Sequence, residues 1–271
     1  MADGRGGAAS VYVHLVRARV RSDWQYRTSF VLFTLSVTLV TLLDFLAIAV
    51  IFSNIPRLAG WSLAEVAFLY GVAGVAFALG DTFVSQVEYV ARHVKQGTFD
   101  RFLVRPVGPL LQICADEFAF RRAGKLVQSG AILVGAMVAV HGAWTPGRLL
   151  ATAATVLTGS VIFSEIWVIT SSIAFWTVDT QEVANSFTYG GNYMSQYPLD
   201  VFGPWLRRLA IGVVPIAFVA YLPSLWILDK NDSIGLPAWL SFAAPAVAAL
   251  LLVPARLLWR TGIRRYRSTG S

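Results

Sequence analysis

The side chains that could do chemistry fall into two sets, and neither has the spacing of a catalytic site. The first set is three carboxylates in or beside long apolar runs: Asp44, Asp81 and Glu165. A charge at bilayer depth is costly and faces a protein interior or a water-filled cavity. Asp44 and Glu165 are therefore candidates for a polar lining or an interhelical ion pair. A neutral acid hydrogen-bonded to a neighbouring helix fits the same sequence. Asp81, nearer a boundary, reads as an interfacial carboxyl. The second set is the polar, mostly basic stretch from Gln86 to Pro106, QVEYVARHVKQGTFDRFLVRP. Glu88, Tyr89, Arg92 and His93 share one face of a short helix. Gln96-Gly97 ends it, with Gly97 suited to a left-handed C-cap. Thr98 or Asp100 starts the next turn, and Arg105-Pro106 closes it. The result is a helix, a sharp turn and a second helix outside the bilayer, a charged knuckle suited to a groove on a soluble partner.

Enzymatic signatures are missing. No G-x-x-x-x-G-K-[ST] loop occurs, and Gly124-Lys125-Leu126 lacks both its spacing and its hydroxyl. No G-x-S-x-G or H-E-x-x-H occurs either. His14, His93 and His141 lie in three separate segments, as interface residues rather than metal ligands. The lone cysteine, Cys114, excludes an intrachain disulfide framework. It reads as a small buried hydrophobe rather than a reactive thiol.

The elements that hold these residues follow from composition. Hydrophobic residues make up 56% of the 271 and charged residues 14%, against about 25% charged in soluble domains. Several continuous apolar runs of about 20 residues predict membrane-spanning helices. No secretory signal peptide is apparent, because the first residues are Arg-rich and lack a separate apolar core before a cleavage site. Residues 1–27 read as a tail plus an amphipathic helix over Ser10–Arg27, lying at the membrane surface or capping a cytosolic partner. Six spans are expected within 28–259: 28–53, 64–85, 123–140, 148–175, 209–228 and 236–259. A basic cytoplasmic tail, 260–271, follows. Gly71, Gly74 and Gly80 in the second span allow close helix approach.

The N-terminus, the 86–125 and 176–208 connections and the C-terminus are assigned to the cytoplasm. That side then carries 19 Lys and Arg, and the other side 3, as the positive-inside rule asks. The same rule accounts for the net charge of +7 without nucleic acid. Most tryptophans fall near span ends, and only Trp167 lies well inside one. The fifth span is punctuated by Pro215 and Pro223, so it is expected to be broken, with a half-helix or re-entrant stretch toward the outer face. Pro215, Phe218, Tyr221 and Pro223 are candidate outer-gate residues; a plain kink is the alternative.

Gly97-x-Phe99-Asp100-x-x-Leu103-x-Arg105-Pro106 resembles the G-x-[FL]-D-x-x-L-x-R-P signature of ABC-2 type permeases. Tyr197-Pro198, Trp205-Leu206 and Pro215-x-x-Phe218-x-x-Tyr221-x-Pro223 are similar to that branch's second signature. The resemblance implies an all-α membrane protein with six transmembrane helices and an N-terminal amphipathic interface helix, in the ABC-2 (type V exporter-like) fold. It implies a permease subunit of an ATP-driven exporter in the bacterial cytoplasmic membrane, multi-pass, with both termini inside. Two copies of a separate ATPase chain would be recruited, and a second permease copy or a sister permease would complete a homo- or heterodimer. ATP and Mg would sit on the partner, leaving this chain without a cofactor; membrane lipids surround it, and no nucleic acid is involved. The 86–106 segment would be the coupling helix, with Glu88, Arg92, Gly97, Phe99, Asp100, Leu103, Arg105 and Pro106 meeting the ATPase. The first, second and fifth spans would line the path. Relatives carry re-entrant helices between their last two spans; here any such element is expected within Pro215–Leu228. A lipophilic, lipid, peptide or drug-like cargo suits the weakly charged interior. The rivals are a membrane-embedded lipid-modifying enzyme, for which no reactive cluster is visible, and a non-transporting scaffold.

Overall fold

The computed structural model describes residues 17, 27–116, 123–140, 142, 144–177, 181–232 and 234–267. The expected amphipathic helix over Ser10–Arg27 lies outside the described residues, Arg17 and Arg27 excepted. Eleven helices carry the fold among the described residues: α1 (Arg27–Asn54), α2 (Leu63–Phe83), α3 (Val90–Lys95), α4 (Asp100–Leu103), α5 (Pro109–Asp116), α6 (Ala123–Ala139), α7 (Pro146–Ser172), α8 (Gln181–Ser195), α9 (Pro204–Gly212), α10 (Tyr221–Ile227) and α11 (Ala244–Arg265). Short 3-10 turns join several of them.

Local sequence sets the helix starts. Ser62 and Glu65 form a reciprocal capping box at α2: the Glu65 amide donates to Ser62 Oγ (3.4 Å) and the Ser62 amide to Glu65 Oε2 (2.7 Å). Thr145 caps α7, accepting from the Arg148 amide, with Pro146 in the first turn. Helix α2 is the axis of the bundle, packed most extensively on α6 and next on α7. The glycines make the first contact possible. A Cβ on Gly71 would sit 2.6 Å from Leu133 Cα, and one on Gly74 2.7 Å from Ser129 Oγ. Phe77, near the middle of α2, meets the rings of Phe163 (5.2 Å), Trp167 (5.0 Å) and Tyr189 (5.5 Å). Trp167 is thus a core residue, consistent with its position inside a span.

Among the described residues three helices are long and apolar enough to cross a membrane: Leu63–Phe83, Pro146–Phe175 and Ala244–Arg265. The pair Pro204–Gly212 and Ile216–Ile227 passes the same test only together, and it is bent by 76°. Thr38–Asn54 and Gly124–Ala139 are shorter apolar helices.

The two ends of the bundle are distinct. At one end Lys230 Nζ donates to the Gly60 carbonyl (3.0 Å) and pairs with Glu65 (2.9 Å). Trp61 Nε1 faces Asp200 Oδ2 at 3.4 Å there, and Arg148 approaches Asp229 at 3.9 Å. At the other end Phe99 packs on Phe175 (5.2 Å) and Tyr266 (5.0 Å). The chain therefore passes from Phe175 at the knuckle end to Asp200 at the far end, and α8 covers that height. This corrects the expectation that 176–208 is a connection on the knuckle side. Arg207 also belongs to the far end, where it donates to the carbonyls of Asp200 (2.6 Å) and Phe202 (2.7 Å). The Lys/Arg bias weakens accordingly, to 17 against 5 when Arg207 and Arg208 change sides. The proline-broken stretch is also relocated. Asp200 before it and Asp232 after it both hydrogen-bond the Tyr221 hydroxyl, at 3.0 and 3.3 Å. The pair therefore starts and finishes at the far face. The pair α9 and α10 dips in and returns, so the re-entrant element starts at Pro204 rather than Pro215.

Candidate functional site

The knuckle is built on a buried aromatic root. Its first helix ends as the sequence indicates. Gly97 has φ 66°, the Thr98 amide reaches the His93 carbonyl (3.0 Å) and the Gly97 amide the Val94 carbonyl (3.3 Å). These two bonds are the Schellman pattern, which needs a left-handed residue that glycine adopts without a Cβ clash. The helix face is not arranged as expected. Glu88 and His93 turn inward and are buried, while Arg92 is exposed, with its guanidinium 4.5 Å from the Tyr89 ring. His93 Nδ1 lies 2.9 Å from Thr98 Oγ1, and its ring meets Phe102 at 5.1 Å. Phe99 is fully buried; it anchors the knuckle rather than presenting a docking surface.

The second turn, α4, starts at Asp100, which is half-buried. Leu103, Arg105 and Pro106 are exposed, and Val104 is 83% exposed. This apolar and basic tip is held from behind by Gln112 of α5, which is buried. Its Nε2 donates to the carbonyls of Phe102 (2.9 Å) and Val107 (2.6 Å). Arg101 pairs with Asp116 at 2.7 Å and lies over the Phe102 ring. Gln112 was not singled out from sequence; a lone glutamine in an amphipathic stretch carries no signal of that kind. Next to it, burial pushes the Cys114 thiol up to about 12, because the thiolate loses its water. That supports reading Cys114 as a buried hydrophobe.

Between α1, α2, α6 and α8 lies a cavity of about 300 Å³, lined in part by Asp44, Tyr70, Tyr189, Asn192, Tyr193 and Gln196. Lys125 closes its knuckle-side end, 5.6 Å from the centre of the Phe77 ring and 3.3 Å from Asp81 Oδ2. Asp81 is thus a buried ion-pair partner, not the interfacial carboxyl expected. Asp44 lines the cavity, as one of its sequence readings asks, and makes no ion pair among the described residues. Tyr189, Asn192, Tyr193 and Gln196 were missed. They recur at i, i+3, i+4 and i+7, a polar-aromatic stripe along one helix face; the signal was there, but a helix this polar was read as a connection.

Among the described residues no cluster of His, Cys, Asp or Glu could hold a metal. The decisive observation is chain-wide: the profile of the ABC-2 family transporter proteins matches residues 38–270. The chain belongs to that family. No curated protein and no solved structure matches it. As a family member it is a transmembrane permease component of an ABC transporter, and its apolar helices are membrane-embedded.

The remaining site residues are dispersed in this ABC-2 protein. Glu165 does not reach the Asp44 cavity. It lies on another face of the bundle, beside α11, 4% exposed and with neither carboxylate oxygen hydrogen-bonded. Pro215 and Phe218 are buried at the bend of the re-entrant pair. Tyr221 is tied to Asp200 and Asp232, and its ring lies 5.7 Å from Trp61. Pro223 borders a small cavity with Trp226 and Phe242. These four are spread along the bent pair, from its buried bend to the hydroxyl tie of Tyr221.

Proposed function

We propose that this chain is the permease half of an ATP-driven exporter in the bacterial cytoplasmic membrane, with the knuckle end and both termini inside. The observation that carries the reading is the exposed Leu103–Pro106 tip on a root fused to the bundle by Phe99. A surface that is both apolar and basic, on a rigid base, suits a groove on a soluble motor. ATP and Mg belong to two copies of a separate ATPase, and this chain contributes no catalytic group. Helices α1, α2, α6, α7, α8 and α11 are the six crossings, α8 replacing the proline-broken stretch as the fifth. A second copy or a sister permease completes the pathway, and the Asp44 cavity lines it. The mixture of tyrosines and amides suits an amphiphilic lipid, peptide or drug-like cargo.

The test pairs the permease with its ABC ATPase, which the proposal expects to be encoded beside it. Arg105→Glu is expected to abolish permease-dependent ATP hydrolysis while leaving thermal stability unchanged, because the side chain is exposed. Asp44→Asn is expected to lower cargo transport while leaving hydrolysis measurable. Full stimulation by Arg105→Glu, or turnover by the isolated permease, would overturn the proposal.

A further inference from the structure

The Glu165 cavity is the most anomalous feature outside the two sites above. Its volume is about 310 Å³, and it lies between α7, α11 and the base of the knuckle. The walls are apolar: Val84, Leu110, Val161, Val168, Leu252 and Trp259. Three charged groups face it, Glu165, Arg256 and Arg260. Both carboxylate oxygens of Glu165 are buried without a hydrogen-bond donor. Arg256 and Arg260 are exposed at the rim, one turn apart on α11, and make no ion pair among the described residues. An acid and two guanidiniums thus share one apolar hollow without meeting. Buried polar atoms are normally hydrogen-bonded, so two carboxyl oxygens without a donor leave the arrangement incomplete as it stands.

We propose that this hollow binds a membrane phospholipid with a primary-amine headgroup, of the phosphatidylethanolamine class. The phosphodiester lies against Arg256 and Arg260, where guanidiniums give paired, charge-assisted hydrogen bonds to phosphate oxygens. The ammonium reaches inward to Glu165, and its three N–H donors supply what the two orphaned oxygens lack. The acyl chains lie along Val161, Val168 and Leu252. The position fits a headgroup: the arginines stand toward the knuckle end of α11, and their stems can extend to the membrane surface. A choline headgroup has no N–H for Glu165, and a glycerol headgroup brings no positive charge. Because Val84 and Leu110 flank the hollow, the lipid braces the base of the knuckle. The proposal rests on the membrane-embedded reading of the family, not on coupling to an ATPase.

The test uses the full chain purified in mild detergent, with native mass spectrometry as the readout of retained lipid. Phosphatidylethanolamine, its mono- and dimethyl derivatives, phosphatidylcholine and phosphatidylglycerol, all with the same acyl chains, are offered in equal amounts. Retention is expected to fall with each methyl added, with phosphatidylethanolamine about tenfold above phosphatidylcholine, the size of one charge-assisted hydrogen bond set. Glu165→Gln is expected to erase that preference while keeping lipid bound, and the paired Arg256→Ala, Arg260→Ala variant to lose the lipid. Equal retention of the whole series, preferential retention of phosphatidylglycerol, or an unchanged preference in Glu165→Gln would overturn the proposal. So would crosslinking of Arg256→Cys to a second copy of the chain, which would show protein rather than lipid filling the hollow. The lipid series needs no variant, so a misfolded mutant leaves the result readable. No ATPase takes part, so loss of coupling and loss of lipid binding are separate failures.

Discussion

Replacing Gln112 with leucine isolates the device that holds the knuckle tip. Leucine is close in volume and apolar, so the buried pocket stays filled. What it removes is two hydrogen bonds, from Nε2 to the Phe102 carbonyl at 2.9 Å and to the Val107 carbonyl at 2.6 Å. A hydrogen bond contributes about 1 kcal/mol net, so the pair stabilises the closed tip by about 2 kcal/mol. Water can reach the freed carbonyls only if the 103–107 turn lifts away from α5. The local opening constant is therefore expected to rise about 30-fold, since 1.4 kcal/mol is a factor of ten. Hydrogen exchange read by mass spectrometry on peptides covering 99–107 measures that constant. Protection should fall there and stay unchanged across α2 and α7, whose hydrogen bonds do not involve Gln112. Exchange within threefold of the wild type at 99–107 would refute the clamp. Faster exchange throughout the bundle would refute its local character.

Three further outcomes follow from the packing. Gly71→Val places a side chain where even a Cβ would lie 2.6 Å from Leu133 Cα, so overpacking of about 1–3 kcal/mol should lower the thermal midpoint of the detergent-solubilised protein; an unchanged midpoint would mean that α2 and α6 are not so closely seated. Asp81→Asn leaves Lys125 in the cavity end without its partner and should cost about 3 kcal/mol, most of it recovered by adding Lys125→Met; additive losses in that double-mutant cycle would deny the pair. Cys114, with its thiol at about 12, is almost wholly protonated at neutral pH, since burial disfavours the thiolate. Maleimide should label it only after denaturation, and rapid labelling of the folded protein would contradict its buried place.

Much of the knuckle was legible because its cues are local. Gly97 must supply a left-handed backbone, and the residues around it can satisfy a helix end in few ways. The direction of side chains was not legible. Glu88 and Arg92 lie one turn apart, yet a 3-10 turn over Ser85–Tyr89 precedes α3 and breaks the 100° spacing that would put them on one face. The far end failed for a different reason. Hydropathy finds helices surrounded by lipid, and α8 turns its polar-aromatic side to the Asp44 cavity, so its apolar content is low. The proline-rich stretch is apolar enough to be read as a span, and its two limbs pass the length and composition test only together. Only the long-range bonds from Tyr221 to Asp200 and Asp232 reveal that the stretch starts and finishes at one face. Carboxylates were legible as anomalies but not as partners: Asp81 found Lys125, 44 positions on, a pairing no local pattern encodes.

The placement of the aromatic root bears on how force would travel from the knuckle. Phe99 touches Phe175 and Tyr266, and Phe175 in turn meets Trp259 at 5.5 Å. A Cβ on Gly262 would overlap the Phe175 ring, so α11 passes that ring in backbone contact. Knuckle, the end of α7 and the end of α11 are therefore wedged into one body, and close-packed interiors shift as units rather than deform continuously. Helix α1, one wall of the Asp44 cavity, is held far less tightly. Helix α1 contacts α2 only slightly and leaves Leu32, Leu35, Leu39, Leu43 and Val50 exposed. Its polar tie to α6 is the bond from Gln128 Nε2 to the Thr38 carbonyl, at 2.8 Å. Under the proposed function, a push on the tip would move the α7–α11 body as a lever. The compliance needed to change the cavity's shape lies along α1, where few contacts oppose it. A permease that moved α7 away from α2 instead would have to separate the ring cluster of Phe77, Phe163 and Trp167.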